Sequence, residues 1–293
     1  MIANEVKLNI AILGATSHIA QSLAYEFNKI NEGKLYLFSR EPNKINKNII
    51  NNKTSIATFD YFKDFNYDII INCVQVPMYS NDLSEVFLVS ELFDNLIIEK
   101  ILNKKSTIYF YLSSGAVYNE VNVNTINDTD FYSIQKRYIE AKHRSLKNFN
   151  IVDLRLFSYF SRFATIRDHY FIDQAINCVK NKQELITDFS NMTRDFVHSS
   201  DLARLILCCV NKEKINDFFD VYSSKPITKF DLMEFFVKEY NLKCKRVDSI
   251  ITSNHTGIKK DYYPLSLKAA TIGYIPQYTS EETIRKEIKF LIN

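Results

Sequence analysis

Tryptophan is absent from the 293 residues, and glycine, proline and cysteine occur only five times each. The cysteines form no CxxC pair and no Cys/His spacing of the kind that holds zinc, and Cys208 and Cys209 are adjacent within an apolar stretch. An odd number of cysteines does not fit a framework of paired disulfides. We therefore expect reduced, packed thiols in a cytoplasmic protein, with no metal site.

Long apolar runs are also missing. No uncharged run approaches the roughly 18 residues that cross a bilayer, and the first seven residues carry no basic segment followed by an apolar block. The net charge of +3 gives no support to a nucleic-acid partner. A hydrophobic content of 46% with 24% charged residues is typical of a globular protein. The sequence therefore predicts a soluble cytoplasmic protein without a membrane or nucleic-acid partner.

Short β-branched runs alternate with helical stretches through the first half of the chain. Six runs are predicted strands, at 8–13, 34–38, 54–59, 68–74, 107–112 and 151–157. Helical spacing of apolar residues covers 19–30 and about 82–102. The strand at 68–74 is almost entirely apolar, which favours a parallel sheet with helices on both faces. The alternation predicts a doubly wound α/β sheet of the Rossmann kind.

The second half is less regular, and only a run at about 218–223 is a further strand candidate for the main sheet. We therefore predict a sheet domain at 1–157 that includes this return strand. Residues 158–293 are predicted to form mainly a substrate-binding lobe. The predicted fold class is α/β, a doubly wound parallel sheet with a small mixed C-terminal lobe.

The turn after the first predicted strand has the spacing of a dinucleotide-binding loop. Ligands of open α/β sheets bind where strands end and helix N-termini point outward. The segment GATSHIA matches GxxGxxG with Ser and Ala replacing the second and third glycines, so it could hold a pyrophosphate, although a generic strand-to-helix turn also fits. The predicted cofactor contacts here are Gly14, Thr16, Ser17, His18 and Ile19, with Cys73 at the end of the fourth strand.

Ser39 and Arg40 follow the second predicted strand. An acidic residue there would accept hydrogen bonds from the ribose of NAD, whereas a hydroxyl and a guanidinium suit a 2′-phosphate. We therefore favour NADP(H) over NAD(H), and a solvated arginine is the alternative. Asp60, after the third strand, is a candidate acceptor for the adenine amino group.

Ser114 ends the fifth predicted strand, and Tyr132 and Lys136 follow at a helical spacing of four. An ammonium beside a phenol stabilises the phenolate, so we expect Lys136 to lower the pKa of Tyr132 towards the working pH. Tyr132 would then be a general acid/base for interconverting a carbinol and a carbonyl. Ser114 would donate to the same oxygen. The alternative is an exposed amphipathic helix, which this order of features disfavours.

These motifs resemble those of the extended short-chain dehydrogenases/reductases, in the NAD-dependent epimerase/dehydratase group that acts on nucleotide sugars. The resemblance covers nearly the whole chain. It is carried by GATSHIA at 14–20, SSGAVY at 113–118, YSIQK at 132–136, LRLF at 154–157 and RDFVHSSDLA at 194–203. A looser match lies at 272–276, IGYIP.

The resemblance implies that Ser114, Tyr132 and Lys136 form the catalytic set, with Lys136 and Tyr132 also contacting the cofactor. It implies that Arg194 contacts the phosphates of a nucleotide sugar, and a salt bridge to Asp195 or Asp201 is the alternative. Ser158 and Ser161 stand where the family often has Asn and Gly, so substrate contacts there are in doubt. Ser114, Ser158, Arg162 and Arg194 are the predicted substrate-binding residues.

Gly115 and Ala116 stand where the family's dehydratases have an acidic pair, so dehydration is disfavoured. The leading hypothesis is NADPH-dependent reduction of a nucleotide-linked 4-keto-6-deoxy sugar. The alternatives are an NAD-dependent nucleotide-sugar epimerase and a non-catalytic dinucleotide-binding sensor or scaffold. An apolar stripe on the helix near 82–102, at 87, 88, 92 and 96, is compatible with a homodimer, or with packing on the chain's own sheet.

Overall fold

The computed structural model describes residues 7–76, 84–121, 125–127, 130–167, 170–248 and 261–292. Within these ranges the strands are β1 (Ile10–Leu13), β2 (Leu35–Phe38), β3 (Thr54–Ala57), β4 (Ile69–Asn72), β5 (Ile108–Ser114), β6 (Asn150–Leu156), β7 (Ser158–Tyr159), β8 (Leu185–Asp188), β9 (Thr193–Arg194), β10 (Phe196–Val197), β11 (Asn216–Asp220), β12 (Ile227–Thr228), β13 (Cys244–Val247) and β14 (Asp261–Tyr262).

The same ranges contain two kinds of helix. The α-helices are α1 (His18–Ile30), α2 (Ser84–Leu102), α3 (Asp130–Ser145), α4 (Phe171–Asn181), α5 (Ser199–Val210), α6 (Lys229–Tyr240) and α7 (Ser280–Ile292). Short 3₁₀ helices cover Pro42–Lys44, Lys47–Ile49, Phe59–Asp64, Gly115–Tyr118 and Lys268–Ile272.

The central sheet has seven strands in the order β11-β6-β5-β4-β1-β2-β3, and every pairing in it is parallel. The chain order reverses at β1, which is where open α/β sheets bind ligands at their carboxyl edge. β11 returns to pair with β6, as the run at 218–223 predicted. The doubly wound parallel sheet predicted from the sequence is thus confirmed.

Apolar residues cover both faces of this sheet. Alternating side chains of β1 enter different clusters: Ile10 and Ile12 pack on the face of α1 and α5, and Ala11 and Leu13 pack on the face of α2 and α3. All four side chains are fully buried. A strand buried on both faces needs apolar residues at every position, which is why β1 and β4 show no polar alternation.

A third apolar cluster lies in the C-terminal half, where α4, α6 and α7 pack together around Ile176, Phe236 and Ile284. Small sheets border it: β7 with β10, β8 with β13, and β9 between β12 and β14. α5 instead joins the cluster on the main sheet and packs on α1. The division at residue 157 into two domains stays a prediction.

Two boundaries differ from the sequence prediction for a local reason. The third strand ends at Ala57 rather than 59, because Phe59 begins a 3₁₀ helix that carries Phe62 into the core. The fifth strand extends to Ser114, so both serines of the SSGAVY segment belong to the sheet. Among the described residues, no helix is both long and apolar enough to span a membrane.

Candidate active site

The serine at the end of β5 is held by the turn that follows it. Ser114 caps the 3₁₀ helix Gly115–Tyr118, and its Oγ accepts a hydrogen bond from the amide of Ala116 at 3.2 Å. A β-carbon on Gly115 would lie 2.5 Å from the ring of Phe157, so this turn needs glycine to pack against that ring. The Ser114 side chain is therefore fixed at the carboxyl edge of the sheet.

Helix α3 brings Tyr132 and Lys136 to the same place. The hydroxyl of Ser114 is near enough to the Tyr132 phenol to favour its ionised form, and the Nζ of Lys136 lies 5.4 Å from the centroid of the Tyr132 ring. Lys136 is only 2% exposed, and its amine donates to the Tyr111 hydroxyl at 2.9 Å and to the Leu112 carbonyl at 3.0 Å. The structure thus brings the three predicted catalytic residues together.

The expected lowering of the Tyr132 pKa is wrong for this structure. Burial raises the pKa of Tyr132, and the nearby Ser114 hydroxyl only partly opposes it. Burial also lowers the pKa of Lys136 to about 7, against the raising effect of Glu140 and Asp153. The sequence spacing gave the proximity of phenol and amine, but desolvation acts on both groups and disfavours both charged forms.

The loop after β4 connects this catalytic set to the dinucleotide turn. Gly14 has a φ of +75°, and a β-carbon there would lie 2.8 Å from the backbone of Cys73. Two residues further on, the side chain of Gln75 donates to the same Leu112 carbonyl that accepts from Lys136. Only glycine allows the turn to approach the end of β4 so closely.

The predicted turn residues surround the N-terminus of α1. Ser17 caps the helix by accepting from the amide of Ala20 at 3.2 Å, and Thr16 is exposed beside it. The amides of His18 and Ile19 lie in the first helical turn, where no carbonyl one turn earlier in the helix is available to them. Such amides and the helix dipole suit a pyrophosphate, so this cradle fits a dinucleotide.

His18 and Ser161 lie together. The Nδ1 of His18 is 3.3 Å from the Ser161 hydroxyl, and burial lowers the pKa of His18 to about 4. The imidazole is therefore neutral at ordinary pH. Ser158, in β7, is half-buried and pairs in register with Phe196 of β10.

The residues predicted for the adenine end lie at the edge of β2 and β3. Ser39 is buried, and its hydroxyl accepts from the amide of Glu41 at 3.1 Å. Arg40 is exposed directly after it. Asp60 is exposed and accepts from the Thr58 hydroxyl at 3.0 Å. The Ser39 side chain therefore shapes the turn, and the guanidinium of Arg40 stands in solvent.

Arg194 lies in β9, between β12 and β14. Its neighbours Asp195 and Asp201 are held by other groups: Asp195 accepts from Ser223 and Ser280, and Asp201 accepts from the amides of residues 277 and 278. The two carboxylates proposed as alternative partners for Arg194 are therefore engaged with other donors.

Tyr262 of β14 belongs to this site and was missed from the sequence. It pairs in register with Arg194, and its hydroxyl lies 3.1 Å from the Oγ of Ser114. Its ring packs on Phe157, with ring centroids 5.1 Å apart. Ser114 therefore lies between two phenols, those of Tyr132 and Tyr262. Since β14 is two residues long, no periodic pattern marks it in the sequence.

The prediction that Arg162 reaches a substrate phosphate does not fit its surroundings. Its guanidinium donates to Glu287 of α7 at 2.7 and 2.9 Å, and it stacks on Phe290 at 3.9 Å from the ring centroid. Burial opposes ionisation of Glu287, but the hydrogen bonds from Arg162 and His198 outweigh it and lower the pKa of Glu287 to about 2. Arg162 thus fastens α7 to the segment after β7.

Possible metal ligands among the described residues are the side chains of His, Cys, Asp and Glu. Within the ranges that the structure describes, no group of three or more His, Cys, Asp or Glu side chains is placed to hold a metal ion. His198 caps α5 by accepting from the amide of Ser200 at 3.2 Å, and its ring packs on Tyr278. These contacts give His198 a structural role.

Comparison with known proteins adds three relatives. The chain is 25% identical over 219 residues to an uncharacterised protein of Methanocaldococcus jannaschii, covering 71% of this chain and 63% of that protein, less than two thirds of its length. It is 24% identical over 282 residues to a putative UDP-glucose 4-epimerase of the same organism, covering 85% of this chain and 87% of that protein.

The third relative is a solved structure, UDP-glucuronic acid 4-epimerase from Bacillus cereus in complex with UDP-glucuronic acid and NAD. The TM-score is 0.77 at 15% identity, over 97% of this chain and 98% of that one, so the likeness is one of fold. The model of the NAD-dependent epimerase/dehydratase family matches residues 10–221. That match covers well over half of the sequence, and the chain belongs to the NAD-dependent epimerase/dehydratase family.

Proposed function

We propose that the protein is an NAD-dependent nucleotide-sugar epimerase. The observation that carries the proposal is the meeting of Ser114, Tyr132 and Lys136 at the carboxyl edge of the sheet. The names of the relatives support epimerisation over our first hypothesis of ketone reduction. Gly115 adds support, because an acidic side chain of the dehydratase kind would begin 2.5 Å from the Phe157 ring.

The chemistry divides between cofactor and protein. When bound, the nicotinamide would accept a hydride from a carbon of the sugar and return it to the same carbon. Tyr132 removes the proton of the sugar hydroxyl and returns it to the carbonyl oxygen, while Ser114 donates a hydrogen bond to that oxygen. Because burial raises the Tyr132 pKa, its ionisation depends on Ser114 and on a protonated Lys136.

The substrate class is a nucleotide-linked sugar. Arg194 is half-buried in β9, and Tyr262 connects it to Ser114. A guanidinium on the strand beside Tyr262 suits the diphosphate of the substrate, since Arg binds phosphate oxygens in a bidentate manner. Gly14, Ser17, His18 and Ile19 would hold the pyrophosphate of the cofactor.

The test is an NMR assay of epimer formation from UDP- and dTDP-linked hexoses without added reductant, together with the mass of any cofactor released on denaturation. We expect co-purified NAD and turnover that falls about 10²–10⁴-fold in Tyr132→Phe. Equal turnover by the wild type and Tyr132→Phe would remove the catalytic role of Tyr132. A wild type that binds dinucleotide but shows no turnover would favour the sensor or scaffold alternative.

A second candidate is an NADPH-dependent reductase of a nucleotide-linked 4-keto sugar. The exposed Arg40, two residues after the end of β2, favours it, because the guanidinium suits a 2′-phosphate. Oxidation of NADPH with a 4-keto sugar, and a KM for NADPH that rises in Arg40→Ala while the KM for NADH does not, would support this candidate. NAD retained through purification would count against it.

We also propose a homodimer through α2 and α3. Leu88 and Leu92 of α2 are 66% and 64% exposed, so these two side chains do not pack on the chain's own sheet. Tyr138 of α3 is also exposed, and its hydroxyl donates to Glu91 of α2, three residues after Leu88. An exposed apolar pair flanked by polar residues suits an isologous contact between two copies.

A further inference from the structure

The buried phenol of Tyr111 contacts the amine of Lys136. Tyr111 is on β5, three residues before Ser114, and is 1% exposed. Its hydroxyl oxygen is 2.9 Å from the Nζ of Lys136 and accepts from the Nε2 of Gln135 at 3.1 Å. The same Nζ lies 4.5 Å from the centroid of the Tyr111 ring. No motif of the sequence marks this residue.

The amine of Lys136 needs such a partner because it is out of water. Its other contact is the carbonyl of Leu112, which can accept a hydrogen bond but cannot donate one. A phenol can do both: it accepts from the ammonium, and it donates to the neutral amine. Tyr111 can therefore hold the amine in either protonation state.

We propose that Tyr111 is a positioning residue that holds the Lys136 amine in place for Tyr132. The inference rests on the proposed function, since it takes Lys136 to serve Tyr132 in proton transfer. Tyr111 does not touch the substrate in this scheme. It acts through Lys136 alone, by keeping the amine directed at the carboxyl edge of the sheet while the amine gains or loses its proton.

Other charged groups act on the same amine and stay unchanged when Tyr111 is altered. Glu140 on α3 and Asp153 on β6 favour its charged form. Arg155 of β6 pairs with Glu140, and His143 of α3 lies between Asp153 and Asp94 of α2. Removing the Tyr111 hydroxyl takes away an acceptor for the ammonium, so the pKa of Lys136 should fall.

Tyr109 provides a matched control. It is two residues earlier on the same face of β5 and is fully buried. Its hydroxyl donates to Asp94 at 2.9 Å and accepts from Asn72 at 3.1 Å. Tyr109→Phe and Tyr111→Phe therefore remove the same atom from the same strand, and only the second removes a contact of Lys136.

The first measurement is the titration of Lys136 by ¹³C NMR of labelled lysine, with the signal assigned by its loss in Lys136→Arg. We expect the Lys136 pKa to fall by about one unit in Tyr111→Phe and to stay at the wild-type value in Tyr109→Phe. An unchanged or raised pKa in Tyr111→Phe overturns the proposal. This measurement requires no enzymatic activity, so its result is separate from the fate of the proposed function.

The second measurement is turnover of the nucleotide sugar. We expect kcat to fall about tenfold in Tyr111→Phe, with an unchanged KM for the sugar nucleotide, because substrate contacts are intact. Equal kcat values in the two phenylalanine variants overturn the proposal. If Tyr111→Phe does not fold, Gln135→Met replaces it. The phenol oxygen then accepts from the ammonium without a competing donor, so the Lys136 pKa should rise in this variant, and an unchanged or lower pKa overturns the proposal.

Discussion

The ring of Phe157 lies where a side chain on Gly115 would begin. A β-carbon placed on Gly115 would be 2.5 Å from the Cδ1 atom of that ring, and such contacts are closer than packed atoms allow. Phe157 in turn packs on Tyr262, whose hydroxyl reaches Ser114. The small residue after Ser114 therefore serves the packing of the site as well as the shape of the turn.

We predict that Gly115→Ala lowers the free energy of unfolding by about 1–3 kcal/mol, because the added methyl group forces the Phe157 ring to move. Urea denaturation of the purified protein measures the effect. Gly115→Ala in a Phe157→Leu background should cost less than in the wild type, since the clashing ring is gone. Equal costs in both backgrounds would show that Phe157 is not the obstacle.

Arg194 and Arg162, the two arginines predicted to bind substrate, should differ in how their substitution affects KM and stability. We expect Arg194→Gln to raise the KM for a nucleotide sugar about 10- to 100-fold with little change in stability, because it loses charged hydrogen bonds to phosphate. Arg162→Gln should instead lower the free energy of unfolding by about 3 kcal/mol and leave KM unchanged, because the buried Glu287 then loses its guanidinium partner and keeps only His198. Steady-state kinetics and urea denaturation of both variants check this, and the opposite pattern would restore Arg162 as the substrate-binding residue.

The exposed leucines of α2 test the proposed dimer. We expect light scattering to give twice the chain mass for the wild type and a single chain mass for Leu88→Glu/Leu92→Glu, because two buried charges per copy are costly at an apolar contact. Leu265→Glu is the control, since that leucine is 84% exposed in another part of the chain. A wild type of single-chain mass at micromolar concentration would remove the proposal.

Much of the fold follows from local patterns in the sequence. The apolar runs of β1, β4 and β5 and the helical spacing of α1 predicted the doubly wound parallel sheet. The spacing of Tyr132 and Lys136 predicted that the two side chains lie together, because residues four apart share one face of a helix. These features depend on residues that are close together along the chain, so they can be recognised in a single sequence.

Other features depend on partners far along the chain. Arg162 is 125 residues from Glu287, and Tyr262 is 148 residues from Ser114, so no local pattern reveals either contact. The Tyr132 pKa was predicted in the wrong direction for a related reason. The spacing displays the nearby amine, but the desolvation that raises the pKa comes from packing that the spacing does not show.

The last prediction concerns a buried histidine of helix α3. His143 of α3 lies 2.7 Å from Asp94 and 2.6 Å from Asp153, and all three side chains are fully buried. Burial disfavours the imidazolium, but the two carboxylates outweigh it and raise the pKa of His143 to about 9. Because the folded value exceeds the unfolded value of about 6.5, the histidine contributes stability below pH 6.5 and loses it as pH rises through 9.

We therefore expect the difference in free energy of unfolding between wild type and His143→Gln to shrink from pH 6.5 to pH 9, by about 3 kcal/mol at most. The comparison of wild type with His143→Gln is needed because Lys136 also makes stability depend on pH. Its lowered pKa makes the folded protein more stable as pH rises over the same range, and this contribution is the same in both proteins and cancels in the difference. Titration of the His143 ring protons by NMR gives a direct check, even where the variant folds poorly. A midpoint at or below 6.5 would mean that Asp94 and Asp153 do not hold a charged imidazole, and the pH dependence of stability would then have to come from another group.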